Sequence, residues 1–370
     1  MNSISLLIVY FIASWIFSSL LHKSGSILCK QREHNAHKIL FFALPPLVLG
    51  FYFIALRPFN SGGDTITYLV AFNRISSPLT ATLDSGYGTE LLFWPTQAII
   101  KPLLDERGWL AANYFIVAGL TFFSYKKITD KTPISPLLFS LVFLTFFAVY
   151  AGNAMRQIYS IPLGLLAFHY CQQKKYTYYI IFSTLAISFH WSAVIILASP
   201  FFTRLPNKKS YYIAIPIIAL TSSSLIRPFI DIITTLSGLD WLSDKSNLYL
   251  KGGRISHIEA VWKTVNFWLC VIIYVALVAT KSITDEKHQN ISKFLLMFFS
   301  LMLFAVTNTD VSERYMVWFL YVVPLAVAII FSKLKISPAL KNQLFLLLFL
   351  LMAALVFTRE SAIATLGIYL

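Results

Sequence analysis

The residues of this sequence best suited to chemistry are arginines placed where polar turns meet long apolar runs. Arg57 closes one such run. Arg156 and Arg314 each open another, in Gly152-Asn153-Ala154-Met155-Arg156-Gln157 and Asn308-Thr309-Asp310-Val311-Ser312-Glu313-Arg314-Tyr315. Arginine offers a planar fork that grips phosphate through two hydrogen bonds, whereas lysine is a hydrated point charge. The free amides of a helix start add positive potential, so side chain and backbone can hold an anion jointly. Phosphate or pyrophosphate is the expected ligand. Two simpler readings stand beside it: guanidinium groups that snorkel to lipid headgroups, and, for Arg156, a salt bridge to Asp64 or Glu90.

Carboxylates and a histidine complete the set. Asp64 follows the flexible turn Asn60-Ser61-Gly62-Gly63 and precedes a helix starting at Thr65. It can cap that helix or act on a substrate. Ile66, Leu69, Val70 and Phe72 give the same helix an apolar side suited to a membrane interface. His190 lies mid-way along an apolar stretch, in Ser188-Phe189-His190-Trp191-Ser192, either as a hydrogen-bonded linker or as a functional group. Arg254 sits in a loop with Asp240, Asp244, His257 and Glu259; Trp241 and Tyr249 there suit sugar stacking or interface anchoring equally. No second histidine or cysteine lies at ligand spacing, so neither a metal nor a cofactor is expected. Gly-Lys-Ser/Thr, Gly-x-Ser-x-Gly and His-Glu-x-x-His signatures do not occur in the sequence.

The elements that must position these groups are membrane helices. The chain is 57% hydrophobic and 12% charged. Spans of roughly 20 apolar residues are expected at 4–21, 39–56, 109–125, 134–150, 154–171, 210–226, 262–280, 294–307, 315–331 and 341–357. Segments 90–104 and 176–203 are harder to place. The fold class is therefore all-α: a polytopic transmembrane helical bundle of about 10–12 spans, without strand periodicity. Residues 1–370 read as one integral membrane domain, with an outer region at 57–108 and a large outer loop at 227–261. Segment 90–104 is short for a crossing and reads as re-entrant or interfacial. Segment 176–203, flanked by basic residues at both ends, must bend back near its middle. The first helix, lacking a basic start and a cleavage site, reads as a retained span.

Placing the basic loops 22–38, 126–131, 172–175, 204–209, 281–293 and 332–341 in the cytoplasm obeys the positive-inside rule. These loops hold sixteen of the twenty lysines but only Arg32 and Arg204, whereas Arg57, Arg74, Arg107, Arg156, Arg227, Arg254, Arg314 and Arg359 fall outside. The net charge of +14 is thus a topology signal and not a nucleic-acid signal. Cys29, Cys171 and Cys270 lie near cytoplasmic helix ends, so no disulfide is implied.

The ordered set Arg57…Gly63-Asp64-Thr65…Tyr68…Phe72, Glu90, Arg156-Gln157, Phe189-His190-Trp191-Ser192-Ala193 and Arg314-Tyr315 resembles the EpsG-like family of polysaccharide polymerases, relatives of the Wzy-type O-antigen and capsule polymerases. The resemblance runs from about residue 40 to 330; the Gly-Gly before Asp64 and the irregular 227–261 loop depart from it. It implies a GT-C-like glycosyltransferase with outer re-entrant and juxtamembrane helices. Such an enzyme would act on undecaprenyl-pyrophosphate-linked oligosaccharide at the periplasmic face of a bacterial inner membrane, with a chain-length regulator as partner. On that reading Arg156 and Arg314 stabilise the leaving pyrophosphate and Arg57 contacts it. Asp64 is the first candidate base and His190 the second; Glu90, Gln157 and Tyr68 orient sugar hydroxyls, and Arg254 is a further substrate-binding residue. A flippase for the same lipid-linked glycan, or a ligase moving glycan to another acceptor, would share the arginines. The flippase would be expected to show internal repeats, and none is evident.

Overall fold

The computed structural model describes residues 48, 50–52, 54–61, 64–129, 154–226, 228, 232, 260–280, 283, 286–335, 337, 340, 343, 344 and 347. Spans 4–21 and 134–150, most of 39–56 and 341–357, and nearly all of the 227–261 loop, Arg254 included, lie outside the described residues. Within them the chain is helical and contains no strand. It divides into two compact units. The first holds Met1–Ala167, Tyr176–Ile196 and Lys335–Leu370, the second Phe168–Lys175 and Leu197–Leu334.

The first unit contains α1 (Thr65–Arg74), α2 (Ala81–Ser85), α3 (Phe93–Ile100), α4 (Glu106–Ile128), α5 (Met155–Gln172, through Ala167) and α6 (Tyr176–Phe189). Eight residues make α3 about 12 Å long, too short to cross a bilayer. The helix gives way at Lys101, ahead of Pro102, which has no amide hydrogen with which to extend the ladder. A 3-10 turn, Lys101–Leu103, continues it. Asp105 then caps α4, its side chain accepting from the Gly108 amide. The unit packs around aromatic rings: Phe72 stacks on Trp109 at 4.8 Å, Phe93 meets Tyr159 edge-on at 5.6 Å, and Tyr159 stacks on Phe189 at 5.1 Å. A buried polar chain crosses it. Gln97 Oε1 accepts from Trp109 Nε1 (2.6 Å) and Asn113 Nδ2 (3.0 Å), while the Tyr159 hydroxyl donates to Asn113 Oδ1 (2.6 Å). Directional bonds of this kind favour one arrangement of helices where apolar contacts alone would permit several.

The expected bend in 176–203 is present. Helix α6 ends at Phe189, and a 3-10 segment, Trp191–Ala198, follows. The Tyr179 hydroxyl, near the start of α6, donates to the Ile196 carbonyl at 3.3 Å, so the chain returns along the helix it has just left.

The second unit contains α7 (Ser199–Arg204), α8 (Lys209–Thr221), α9 (Val265–Ala279), α10 (Gln289–Phe304) and α11 (Thr309–Lys333). Tyr274 stacks on Phe299 at 4.1 Å and Phe298 on Trp318 at 4.7 Å, joining α9 to α10 and α10 to α11. Within α11, Thr309–Phe331 is the one described helix both long and apolar enough to cross a membrane; α6, α8, α9 and α10 are apolar but shorter. Helix α9 is apolar all round. Phe267, Cys270, Ile273, Tyr274 and Leu277 are buried, while Trp268, Ile272 and Val275 are exposed on the opposite side. A helix of that pattern is compatible with a lipid environment, and Ile213, Ile217 and Ile218 of α8 are likewise exposed.

Candidate active site

The first unit gathers its ionisable groups around α1. The buried stripe of that helix is Thr65, Tyr68, Leu69 and Phe72, spaced for one helical face, while Ile66 and Val70 point outward. The apolar side expected from Ile66, Leu69, Val70 and Phe72 is therefore split, because Thr65 and Tyr68 join Leu69 and Phe72 inside. Arg57 Nη2 donates to Thr65 Oγ1 at 2.9 Å, and Arg156 Nε donates to the Tyr68 hydroxyl at 3.1 Å. Two arginines nearly a hundred residues apart are thereby fastened one turn from each other on the same face of a single helix.

Arg156, second residue of α5, also forms an ion pair with Glu90, Nη1 to Oε2 at 2.7 Å. Its guanidinium lies over the Tyr87 ring, 4.5 Å from the centroid, a favourable cation–π geometry. Glu90 is 2% exposed and the Arg156 side chain 15%. Arg156 Nη2 makes no hydrogen bond to a described residue, so one edge of the fork is left for a ligand. The salt bridge foreseen for Arg156 is present, with Glu90 as its partner.

Glu90 is delivered by a stretch without regular structure, between α2 and α3. Gly86 ends α2 in the left-handed conformation (φ +61°), and Gly88 has φ +96°. A Cβ on Gly88 would overlap both Arg156 Nη1 and Glu90 Oε2 and would lie 3.2 Å from Arg156 Cζ. Gly88 is glycine both for its backbone angle and because the ion pair occupies the space a side chain would fill. Trp94 Nε1 donates to the Tyr87 carbonyl (2.7 Å) and Thr82 Oγ1 to the Glu90 carbonyl (3.1 Å), which anchors this stretch from α2 and α3.

Burial, and secondarily the charge of Arg107, pulls the pKa of Arg57 down to about 10. An arginine held this way keeps its proton at neutral pH. Arg107 donates to the Arg57 and Ala55 carbonyls and stacks on Phe59 at 4.0 Å. Between Arg57, Asn113, Tyr159 and apolar residues of α4 and α5 lies a cavity of about 10 Å³, room for one water and not for a sugar. Burial pushes the Tyr68 hydroxyl up to about 12, against the opposing pull of Arg156. Tyr68 is thus neutral and accepts from Arg156.

Asp64 sits at the start of α1, yet its side chain makes no capping hydrogen bond. The capping role foreseen for it is absent, because its backbone is already helical (φ −102°, ψ −10°) and not extended as a side-chain cap requires. Its charge instead acts on Tyr68, whose pKa it helps to raise. Gln157 is buried beside Arg156 in sequence. His190 links α6 to the 3-10 segment. Its Nδ1 accepts from the Ser192 amide at 3.1 Å and lies 2.8 Å from Ser192 Oγ. An amide can only donate, so the proton of the neutral ring is on Nε2, and the one lone pair of the ring is already engaged. Arg314 belongs to the second unit, in the second turn of α11, whose cap is Asn308 accepting from the Val311 amide. It is half-buried.

Residues 37–367 match the family model of the EpsG family. This chain belongs to the EpsG family, a family of Wzy-like polysaccharide polymerases. No curated protein and no solved structure shows significant similarity to it. Within this EpsG-family chain, two participants in the cluster did not stand out in the sequence, Tyr87 and Gly88, and Arg107 did so only as one of the outer arginines. The stretch Ser85-Gly86-Tyr87-Gly88-Thr89-Glu90 does carry a signal for both. Paired glycines just ahead of a carboxylate mark positive φ or close approach.

Proposed function

We propose that this EpsG-family chain is a multi-pass glycosyltransferase of the bacterial inner membrane. It transfers a growing undecaprenyl-pyrophosphate-linked glycan to a lipid-linked repeat unit, with its active site facing the periplasm. The observation that carries the reading is the convergence of Arg57 and Arg156 on Thr65 and Tyr68, with Arg156 Nη2 not used by a described residue. Family membership supports polymerisation in general, and the arginines support a phosphate-bearing lipid as donor.

In the reaction an acceptor sugar hydroxyl attacks the anomeric carbon of the donor. A new C–O bond forms, the bond from that carbon to the pyrophosphate oxygen breaks, and the hydroxyl proton passes to a base. Negative charge grows on the departing lipid pyrophosphate. Fixed cations aimed at that charge need no reorganisation in the transition state and stabilise it strongly. Arg156 takes this role through Nη2, with Arg57 adding field from the same face of α1. Glu90 and Tyr68 hold Arg156 in place. Asp64, at the start of α1, is the candidate base, and Gln157 a sugar contact. Arg314, at the start of its own apolar helix, is a further candidate for the leaving group. A chain-length regulator is the expected partner.

The test is the lipid-linked glycan ladder of Arg156→Ala beside a deletion strain, at matched protein levels. Both should accumulate single repeat units, and Arg156→Lys should rescue poorly because an ammonium cannot replace the fork. Arg314→Ala is expected to shorten the chains as well. Normal chain length in Arg156→Ala removes it from the mechanism. Units trapped on the cytoplasmic side of the deletion strain would identify a flippase, and long chains never transferred to their final acceptor a ligase.

A further inference from the structure

Because the stretch that carries Glu90 belongs to no helix, its position is set by the bonds that reach it from outside. Two come from its own neighbours, Trp94 and Thr82. The other two come from the turn between α6 and the 3-10 segment, a hundred residues further on. Trp191 Nε1 donates to Thr89 Oγ1 at 3.1 Å, and the Ser188 carbonyl accepts from the Leu92 amide at 2.9 Å. These contacts bracket Glu90 on both sides in sequence. His190 stands between the two residues that make them.

We infer that His190 is a positioning residue: it shapes the 188–192 turn that clamps Thr89 and Leu92 and thereby aims Glu90 at Arg156. The imidazole does this as a cap. Its amide donates to the Ala186 carbonyl and closes α6 (3.1 Å), its carbonyl accepts from Ala193 (3.0 Å), and Nδ1 takes the Ser192 amide at the start of the next segment. A helix start needs such an acceptor. With Nδ1 so used, the ring has no second lone pair with which to remove a proton from a sugar hydroxyl. The adjacent indole reaches Thr89 only while the turn keeps this form. The inference rests on the polymerase reading above and assigns to His190 the part of a support for the Arg156–Glu90 pair.

The two roles separate on asparagine. Its Oδ1 falls where His190 Nδ1 lies and accepts an amide hydrogen bond as well as any capping residue, but it cannot act as a base. In a reconstituted assay of lipid-linked glycan polymerisation, His190→Asn should keep kcat within about threefold of the native protein, while His190→Ala falls by tenfold or more. Trp191→Phe and Thr89→Val, each lacking one end of the Trp191–Thr89 bond, should fall alike, and their double variant no further, since both remove one interaction. A catalytic imidazole predicts otherwise: asparagine and alanine would be equally poor, by about 10²–10⁴-fold, and that result overturns the inference. So would Trp191→Phe and Thr89→Val at native rates. The failures are distinguishable, because a wrong polymerase reading leaves the native protein without polymerising activity, whereas a wrong positioning role leaves native activity intact and merely equalises the two His190 variants.

Discussion

Substituting Gly88 tests whether the Arg156–Glu90 pair is working machinery or only a buried salt bridge. In Gly88→Ala the new methyl overlaps Arg156 Nη1 and Glu90 Oε2 and sits 3.2 Å from Arg156 Cζ. Both overlapped atoms are ends of flexible side chains, so the fold can yield there by moving them. What it loses is their aim. Positive φ costs a non-glycine residue about 1–2 kcal/mol, and loss of one well-aimed donor to a developing anion costs about 10²–10³-fold in kcat. Gly86→Ala supplies the control. Its φ is +61°, but its Cβ would meet nothing closer than Arg74 Nη1 at 3.5 Å, an ordinary contact. Gly86 lies in the left-handed well that alanine can enter at modest cost, whereas Gly88 at φ +96° lies beyond it, so Gly88→Ala bears the larger backbone cost and is alone in disturbing the pair. Thermal unfolding in detergent should show a small loss for Gly86→Ala and a larger one for Gly88→Ala, and rates are compared at matched amounts of folded protein. The polymerisation rate should fall about 10²-fold or more for Gly88→Ala and remain near native for Gly86→Ala. Equal rates in the two variants would refute the assignment of Arg156 and Glu90 to the reaction centre.

Two further outcomes follow from the same cluster. Asp64 makes no side-chain cap, so Asp64→Asn removes charge while leaving α1 intact; loss of polymer in a stably inserted variant, read on the glycan ladder, supports a role in chemistry, and normal polymer excludes it. Tyr68 has its pKa raised from 10.0 to about 12. Its raised folded-state value stabilises the protein below about pH 10, and that contribution is lost as pH climbs towards 12. Separately, Tyr68→Phe loses the hydrogen bond from Arg156 and should be less stable at neutral pH by about 1.5–3 kcal/mol, as for a hydrogen bond to a charged group. Between pH 10 and 12 its melting temperature should fall less steeply than that of the native protein. Parallel pH curves would show that Tyr68 does not titrate there.

Among the described residues, the helical class, the positions of the longer helices and the residue types able to meet a phosphate could be read from the amino-acid order alone. Hydrophobic runs with caps at their ends are local signals, and α4, α5, α8, α9, α10 and α11 lie within a few residues of the stretches expected at 109–125, 154–171, 210–226, 262–280, 294–307 and 315–331. The bend at His190 and the shortness of 90–104 were legible for the same reason, since flanking charge and length are properties of a single segment. Partnerships were not. Whether Arg156 meets Asp64 or Glu90, and whether Asp64 caps α1, depends on backbone angles near Asp64 and Gly88 and on bonds from a turn a hundred residues away. The folded packing settles these, because an ion pair between residues 66 positions apart depends on how distant segments come together, and no local pattern encodes that.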